Sequence, residues 1–454
     1  MAWLPPGAAV LVTGLGVVLG LASEASSQGS AGPANQTPPL TAQESNPNVM
    51  GWMQGFPPPE DKLITQPASV YFSFPRLRWS VCHMRELLPT ERISRGLGAP
   101  FPLQYLPEQE LERERQAIDA LKFMPIGASS EMTWEDSFYA NYTDGMLILH
   151  KGRVVYERYF GCLGDDAEHA AMSMTKSLTG LLAEILVVEG KLSETALVSE
   201  IIPEIRNSAF ASATVRQVMD MTTGLRYSED YSDPNAGIWA YSEAASPLPK
   251  PQGYTGPNGY WAYLQELQPE GQHGEAFHYK TVNSDMLGWI ISRVSGKAVT
   301  DLASERLWRR MGAEQSAYMT VDGIGVPFAG GGLSAGLRDL GRIGLLMLNE
   351  GVINGERLFP AEVVRRIRAG GDPAKFGTAY PALVGGKYSS MWWVYPGNDG
   401  VIAARGVYGQ TIYVDPSAQM VLVRFASFPR AENTLIDPTS LPAFRAVAEY
   451  LRSR

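Results

Sequence analysis

Apolar and polar positions change character sharply around residue 173. Upstream lies a polar approach carrying Asp165, Asp166, Glu168 and His169, whereas positions 174–189 are almost wholly apolar and predict a long buried helix that Gly190 stops. Just before this, the β-forming runs 145–150 and 154–160 flank Lys151-Gly152-Arg153 and predict a hairpin. Positions 198–205, 214–221 and 281–295 read as further helices, while 222–275 is rich in Tyr, Pro, Gly and Asn and reads as loop lining a site. Beyond Gly330 come a helix at 337–349, short strand patterns at 390–395, 401–404, 411–414 and 419–427, and a closing helix at 441–451. Strands toward both ends with helices between predict an α/β (α+β) fold. An antiparallel sheet is expected, assembled from distant segments and flanked by helices, with a helical domain inserted at about 178–328.

The first 135 residues follow a different pattern. Positions 8–22 are apolar but short for a membrane span, and small residues follow at 23–27, so 1–25 reads as an export signal cleaved after Ala25. That reading implies a periplasmic or secreted protein with no stable membrane anchor after cleavage; a permanent anchoring helix is the alternative. Residues 26–60 have the composition of a disordered linker. An N-terminal helical extension is expected over 61–135, with helices entered at 78–88 and at 108–121 after Pro107, followed by a catalytic domain over 136–454.

With 454 residues, 45% of them hydrophobic, the chain can bury a large core. A net charge of −9 leaves no basic face for a phosphate backbone, which argues against nucleic acid as a partner. Cys82 and Cys162 are the sole cysteines, compatible with a disulfide or with two small buried hydrophobes. Neither they nor His83, His150, His169, His273 and His278 show metal-ligand spacing.

Candidate chemistry begins at Ser173-Met174-Thr175-Lys176. A serine at a helix N-terminus with a lysine three residues on has hydroxyl and amine on one face, and burial would lower the amine's pKa far enough for it to accept the serine's proton. Tyr279, ahead of the helix near Ser284, can relay a proton. The turn Ala404-Arg405-Gly406-Val407 leads into a strand, where the Val407 amide can join that of Ser173 as an oxyanion donor. Gly332-Leu333-Ser334-Ala335-Gly336 has the form of a nucleophile elbow, but no histidine follows His278 to complete a triad, so Ser334 reads as structural.

Together, Ser173-x-x-Lys176, Tyr279-x-Thr281, the 330–340 glycine-rich run and Gly406 before a strand resemble the serine β-lactamase and penicillin-binding-protein superfamily. Segments 78–95 and 227–234 and Trp392-Trp393 resemble, within it, the 6-aminohexanoate-dimer hydrolases and the family VIII carboxylesterases. The resemblance implies a β-lactamase/transpeptidase-like fold and no cofactor. It implies Ser173 as acylated nucleophile, Lys176 as its base, Tyr279 as proton relay and the amides of Ser173 and Val407 as oxyanion hole. Tyr227, Trp393, Thr281 and Gly406 are implied to meet the substrate, with Trp393 as a mobile cover.

Two departures matter. Where relatives active on β-lactams and cell-wall peptides carry Lys-Thr-Gly, this chain has Ala404-Arg405-Gly406, and Thr281 stands where an asparagine is usual. Arg405 is a candidate to take over the lysine's hold on a substrate carboxylate, with different geometry. The expected activity is hydrolysis of small esters or linear amides, the rivals being a β-lactamase or D-Ala peptidase and a catalytically silent binding protein of the same fold.

Overall fold

The computed structural model describes residues 39–454 apart from 66–68, 232 and 398. The export signal and the first part of the linker fall outside the described residues. Its centre is an eight-stranded sheet in the order Lys387–Ser389, Trp392–Val394, Ile402–Gly406, Gln410–Asp415, Met420–Ala426, Thr143–His150, Arg153–Tyr159 and Gln104–Tyr105. Every neighbouring pair is antiparallel except the last. The predicted hairpin supplies two of its strands, Thr143–His150 and Arg153–Tyr159, and Met420–Ala426 pairs with the first of them from Met420 opposite His150 onward. The sheet therefore joins the two ends of the catalytic region.

Side-chain alternation decides what covers each face. Gly341 and Gly344 of the Leu337–Leu348 helix sit against Leu147, Val421 and Ile412, while Tyr413, next to Ile412 in the strand, packs tilted against Phe444 of the Asp437–Arg452 helix at 5.6 Å. Consecutive residues point to opposite faces, so the two helices cover the two faces. This explains why Thr143–His150 and Met420–Ala426 are buried throughout instead of alternating between core and water.

The predicted apolar helix spans Met174–Val188 and is buried nearly all round. Its polar residues are satisfied individually: Ser177 Oγ donates to the Met391 carbonyl at 2.7 Å, Thr179 Oγ1 to the Ala329 carbonyl at 3.0 Å, and Glu184 accepts from Arg216 at 2.9 Å. Gly180 is required here, since a Cβ would lie 1.9 Å from the Ser390 carbonyl oxygen. A second sheet, Thr90–Ile93, Ala317–Thr320, Leu333–Ala335 and His169–Ala170, delivers the chain to Ser173. Ser334 lies in it, fully buried, as a structural residue.

Several expectations need correction. Residues 39–60, read as linker, are ordered against the body: Trp52 is buried, Tyr142 donates to the Leu40 carbonyl at 2.7 Å, and Arg78 donates to the Ala42 carbonyl and to Ser45 Oγ. The cause is Arg78 itself, a buried cation that needs acceptors and finds them there and in Asp144 at 3.0 Å. The extension over 61–135 is only partly helical, since Thr90–Ile93 and Gln104–Tyr105 enter the two sheets. The helix expected at 198–205 stops at Ile201 before Pro203, and the strand expected at 390–395 breaks where Ser390 and Met391 take φ of 48° and 64°. Cys82 and Cys162 form a disulfide, tying the extension to the segment ahead of Ser173.

Candidate active site

Ser173 occupies the N-cap of the Met174–Val188 helix, and its hydroxyl caps no backbone amide, which leaves it free for chemistry. The backbone either side of the cleft is held in uncommon conformations: Met172 takes φ 48° just before Ser173, and Tyr408 takes φ 65° just after Val407. Non-glycine residues in this region cost on the order of 1–3 kcal/mol each and persist where the surroundings enforce them. Here they turn the chain sharply at the two residues predicted to supply oxyanion amides.

Lys176 Nζ lies 2.9 Å from Ser173 Oγ and donates to the Gly330 carbonyl at 2.6 Å. The side chain is 1% exposed. Burial pulls its pKa down to about 8, against the pull of Glu229 and Asp285, which favour the ammonium. A neutral amine can thus turn its lone pair to the serine hydroxyl while keeping its bond to Gly330.

Tyr279 closes the group. Its ring lies 5.1 Å from Lys176 Nζ, and it lines the cleft together with Ser173. Burial and the Glu229 carboxylate hold its pKa well above the ordinary value, so it is a neutral phenol able to donate. Ser173, Lys176 and Tyr279, scattered over 107 positions, meet because the helix of the first two packs against the Val282–Ser295 helix that follows the third.

Gly406 ends the Ile402–Gly406 strand against the nucleophile: a Cβ there would lie 2.7 Å from the Ala171 carbonyl oxygen and 3.0 Å from the Ser173 amide nitrogen. Only glycine lets the strand pass this close. Val407, with Ser173, lines a cleft of about 430 Å³ whose walls include Tyr227, Tyr231, Tyr279, Tyr380 and Trp393.

Trp393 is 5% exposed and enclosed, with its face stacked on Tyr279 at 5.7 Å and the rings of Tyr380 and Tyr388 approaching edge-on at 4.7 and 5.2 Å. Thr281 departs from expectation. It is buried and absent from the cleft wall, and its backbone amide donates to Glu229, so what it contributes is the position of that carboxylate. Arg405 lines the cleft, where Asp437 pairs with one end of its guanidinium and Trp393 lies 5.3 Å away, so it is a tethered cation and not a free one as the missing lysine would be.

Sequence reasoning missed Asp285. It is buried, accepts from the Tyr241 hydroxyl, and is pushed up to about 7 by burial, with Tyr241 and Lys176 acting to lower it. A carboxylate one turn into a helix behind a conspicuous tyrosine carries no local signal. Tyr231 and Glu229 stood within a recognised segment, but Tyr227 drew attention instead; all three line the cleft.

The Beta-lactamase family model matches residues 139–438. The 6-aminohexanoate-dimer hydrolase of Paenarthrobacter ureafaciens is 32% identical over 360 residues, covering 78% of this chain and 86% of that one. A solved structure of a candidate 6-aminohexanoate-dimer hydrolase from Bacillus anthracis superposes with a TM-score of 0.75 at 28% identity, over 84% of this chain and 96% of that one. A penicillin-binding-protein homologue from Caulobacter crescentus shares the fold at 16% identity and a TM-score of 0.51, over 69% and 96% of the two chains. The chain belongs to the β-lactamase family of serine hydrolases.

Proposed function

We propose that this hydrolase cleaves small carboxylic esters or linear amides through an acyl-enzyme on Ser173. The carrying observation is the 2.9 Å contact between Ser173 Oγ and a buried amine whose pKa is drawn down to about 8. Lys176 takes the hydroxyl proton as Oγ attacks the carbonyl carbon. The Ser173 and Val407 amides receive the charge that develops on the carbonyl oxygen. Tyr279 passes a proton to the departing alkoxide or amine, and water then attacks the acyl-enzyme with the same groups working in reverse. Tyr227, Tyr231, Trp393 and the Gly406 edge shape the substrate's surroundings.

Ester and amide substrates are favoured over β-lactams because Ala404 offers no ammonium and Arg405 is already engaged by Asp437. The P. ureafaciens relative's name supports a linear aminohexanoate amide as one substrate. The test sets p-nitrophenyl esters, nitrocefin and a linear aminohexanoate dimer side by side, with a fluorophosphonate probe for the nucleophile. Expected are labelling lost in Ser173→Ala and ester turnover above nitrocefin turnover. Labelling that survives the substitution, or nitrocefin as the better substrate, contradicts the reading.

We also propose export from the cytoplasm. The apolar segment 8–22 supports it, as does the Cys82–Cys162 disulfide, since such bonds persist in oxidising compartments. Fractionation of producing cells tests it, and an enzyme confined to the cytosol refutes it.

A further inference from the structure

The Trp393 indole contacts a guanidinium and a phenol ring. The Arg405 guanidinium lies 5.3 Å from its centroid, the Tyr279 ring stacks on it at 5.7 Å with the planes 23° apart, and Lys176 Nζ lies 5.1 Å from the Tyr279 ring in turn. The order is Arg405, Trp393, Tyr279, Lys176. Arg405 is 6% exposed and ion-paired with Asp437, which begins the Asp437–Arg452 helix packed on the main sheet. The outer end of the column is therefore fixed to the scaffold, and its inner end is the proposed base.

Such a column has a defined physical effect. A guanidinium is drawn to the electron-rich face of an indole, and more strongly when both are desolvated, as they are here. The parallel ring pair then restricts where the Tyr279 phenol can lie relative to Ser173. Tyr279 lines the cleft, and its other ring neighbour is Tyr388, T-shaped to it at 6.1 Å. A proton relay needs its oxygen within a few tenths of an ångström of the productive place, so a support for the ring becomes a support for the rate.

We propose that Arg405, anchored by Asp437, is a positioning residue that acts through Trp393 to hold Tyr279 in register with Ser173 and Lys176. Arg405 itself touches neither the nucleophile nor the base. The inference rests on the acyl-enzyme reading and adds the reason an arginine stands at the Ala404-Arg405-Gly406 end of its strand.

A double-mutant cycle tests it, read as kcat and KM for a p-nitrophenyl ester. Arg405→Met should lower kcat about tenfold with KM little changed, because a misplaced relay slows chemistry more than binding. In the Trp393→Leu background the same substitution should change kcat by no more than about twofold, since the element it acts through is gone. Trp393→Phe, which keeps a stackable ring, should recover most of the loss of Trp393→Leu. Equal losses from Arg405→Met in both backgrounds overturn the proposal, as does a loss confined to KM, which would make Arg405 a substrate contact. If Arg405→Met misfolds because Asp437 is stranded, Arg405→Met/Asp437→Asn removes both charges and the cycle is run with that pair. Failure of the acyl-enzyme reading looks different: wild type itself would then take up no fluorophosphonate at Ser173.

Discussion

The backbone amide of Thr281 donates to the carboxylate of Glu229, fastening the long loop before Tyr279 to the turn just after it. Through this bond a residue of the loop places negative charge near Lys176, where it favours the ammonium that the proposed mechanism must discharge. The polypeptide thus sets the base's pKa from two sides, burial lowering it and Glu229 with Asp285 raising it.

A pH dependence follows. Lys176 works as a base only when neutral, so kcat/KM for an ester should rise with pH through about 8 and level off above it. Glu229→Gln removes an anion that stabilises the ammonium, so the pKa falls and the rising limb moves to lower pH. Asp285→Asn should move it the same way. A limb that stays in place or moves to higher pH in both variants contradicts the electrostatic account.

Gly406 supplies a steric prediction. With a Cβ only 2.7 Å from the Ala171 carbonyl oxygen, Gly406→Ala must push the strand away from Ser173 and open the space between the two oxyanion amides. A loss of about 10²-fold in kcat is expected, comparable to removal of one oxyanion donor. Thermal unfolding of the variant should remain cooperative, which separates the local effect from general disruption.

The buried pair Arg78–Asp144 should matter for stability and little for chemistry. Both partners are almost completely enclosed, and His169 also approaches Asp144 at 3.3 Å. Burial acts to raise the Asp144 pKa, but Arg78 and His169 outweigh it and hold the group ionised below its ordinary value. Arg78→Met strands that charge and should cost about 3–5 kcal/mol in denaturant unfolding. It should also release residues 39–60 to proteolysis, because their anchor on Ala42 and Ser45 is gone.

Cys82 and Cys162 are separated by 80 positions, so their bond removes considerable freedom from the unfolded chain. Cys82→Ser should lower stability by about 4 kcal/mol on loop-closure grounds, measured by unfolding with and without reductant. Equal stability under both conditions in wild type would show that the bond does not contribute.

What could be read in the sequence was whatever chemistry writes locally. Ser173 and Lys176 announced themselves because a helix start and an i, i+3 spacing are visible in four letters, and the hairpin and apolar helix because their periodicities are regular. Partnerships across the fold left no such trace. Arg405 and Asp437 are 32 positions apart, and nothing in either neighbourhood names the other. Asp285 looks like an ordinary helix residue until burial places it behind Lys176. The Ser, Gln, Asn, Pro and Gly composition of 39–60 carries no sign of its order, because the reason for that order, a buried arginine, lies elsewhere in the chain.

The central claim is that an uncharged Lys176 activates Ser173, and the pre-steady-state burst of p-nitrophenol released when enzyme meets excess p-nitrophenyl ester measures that step directly. For Lys176→Met, folded by the criterion of an unchanged unfolding midpoint, acylation should slow by about 10²- to 10⁴-fold, the range expected for loss of a general base. An undiminished burst in that variant would contradict the account.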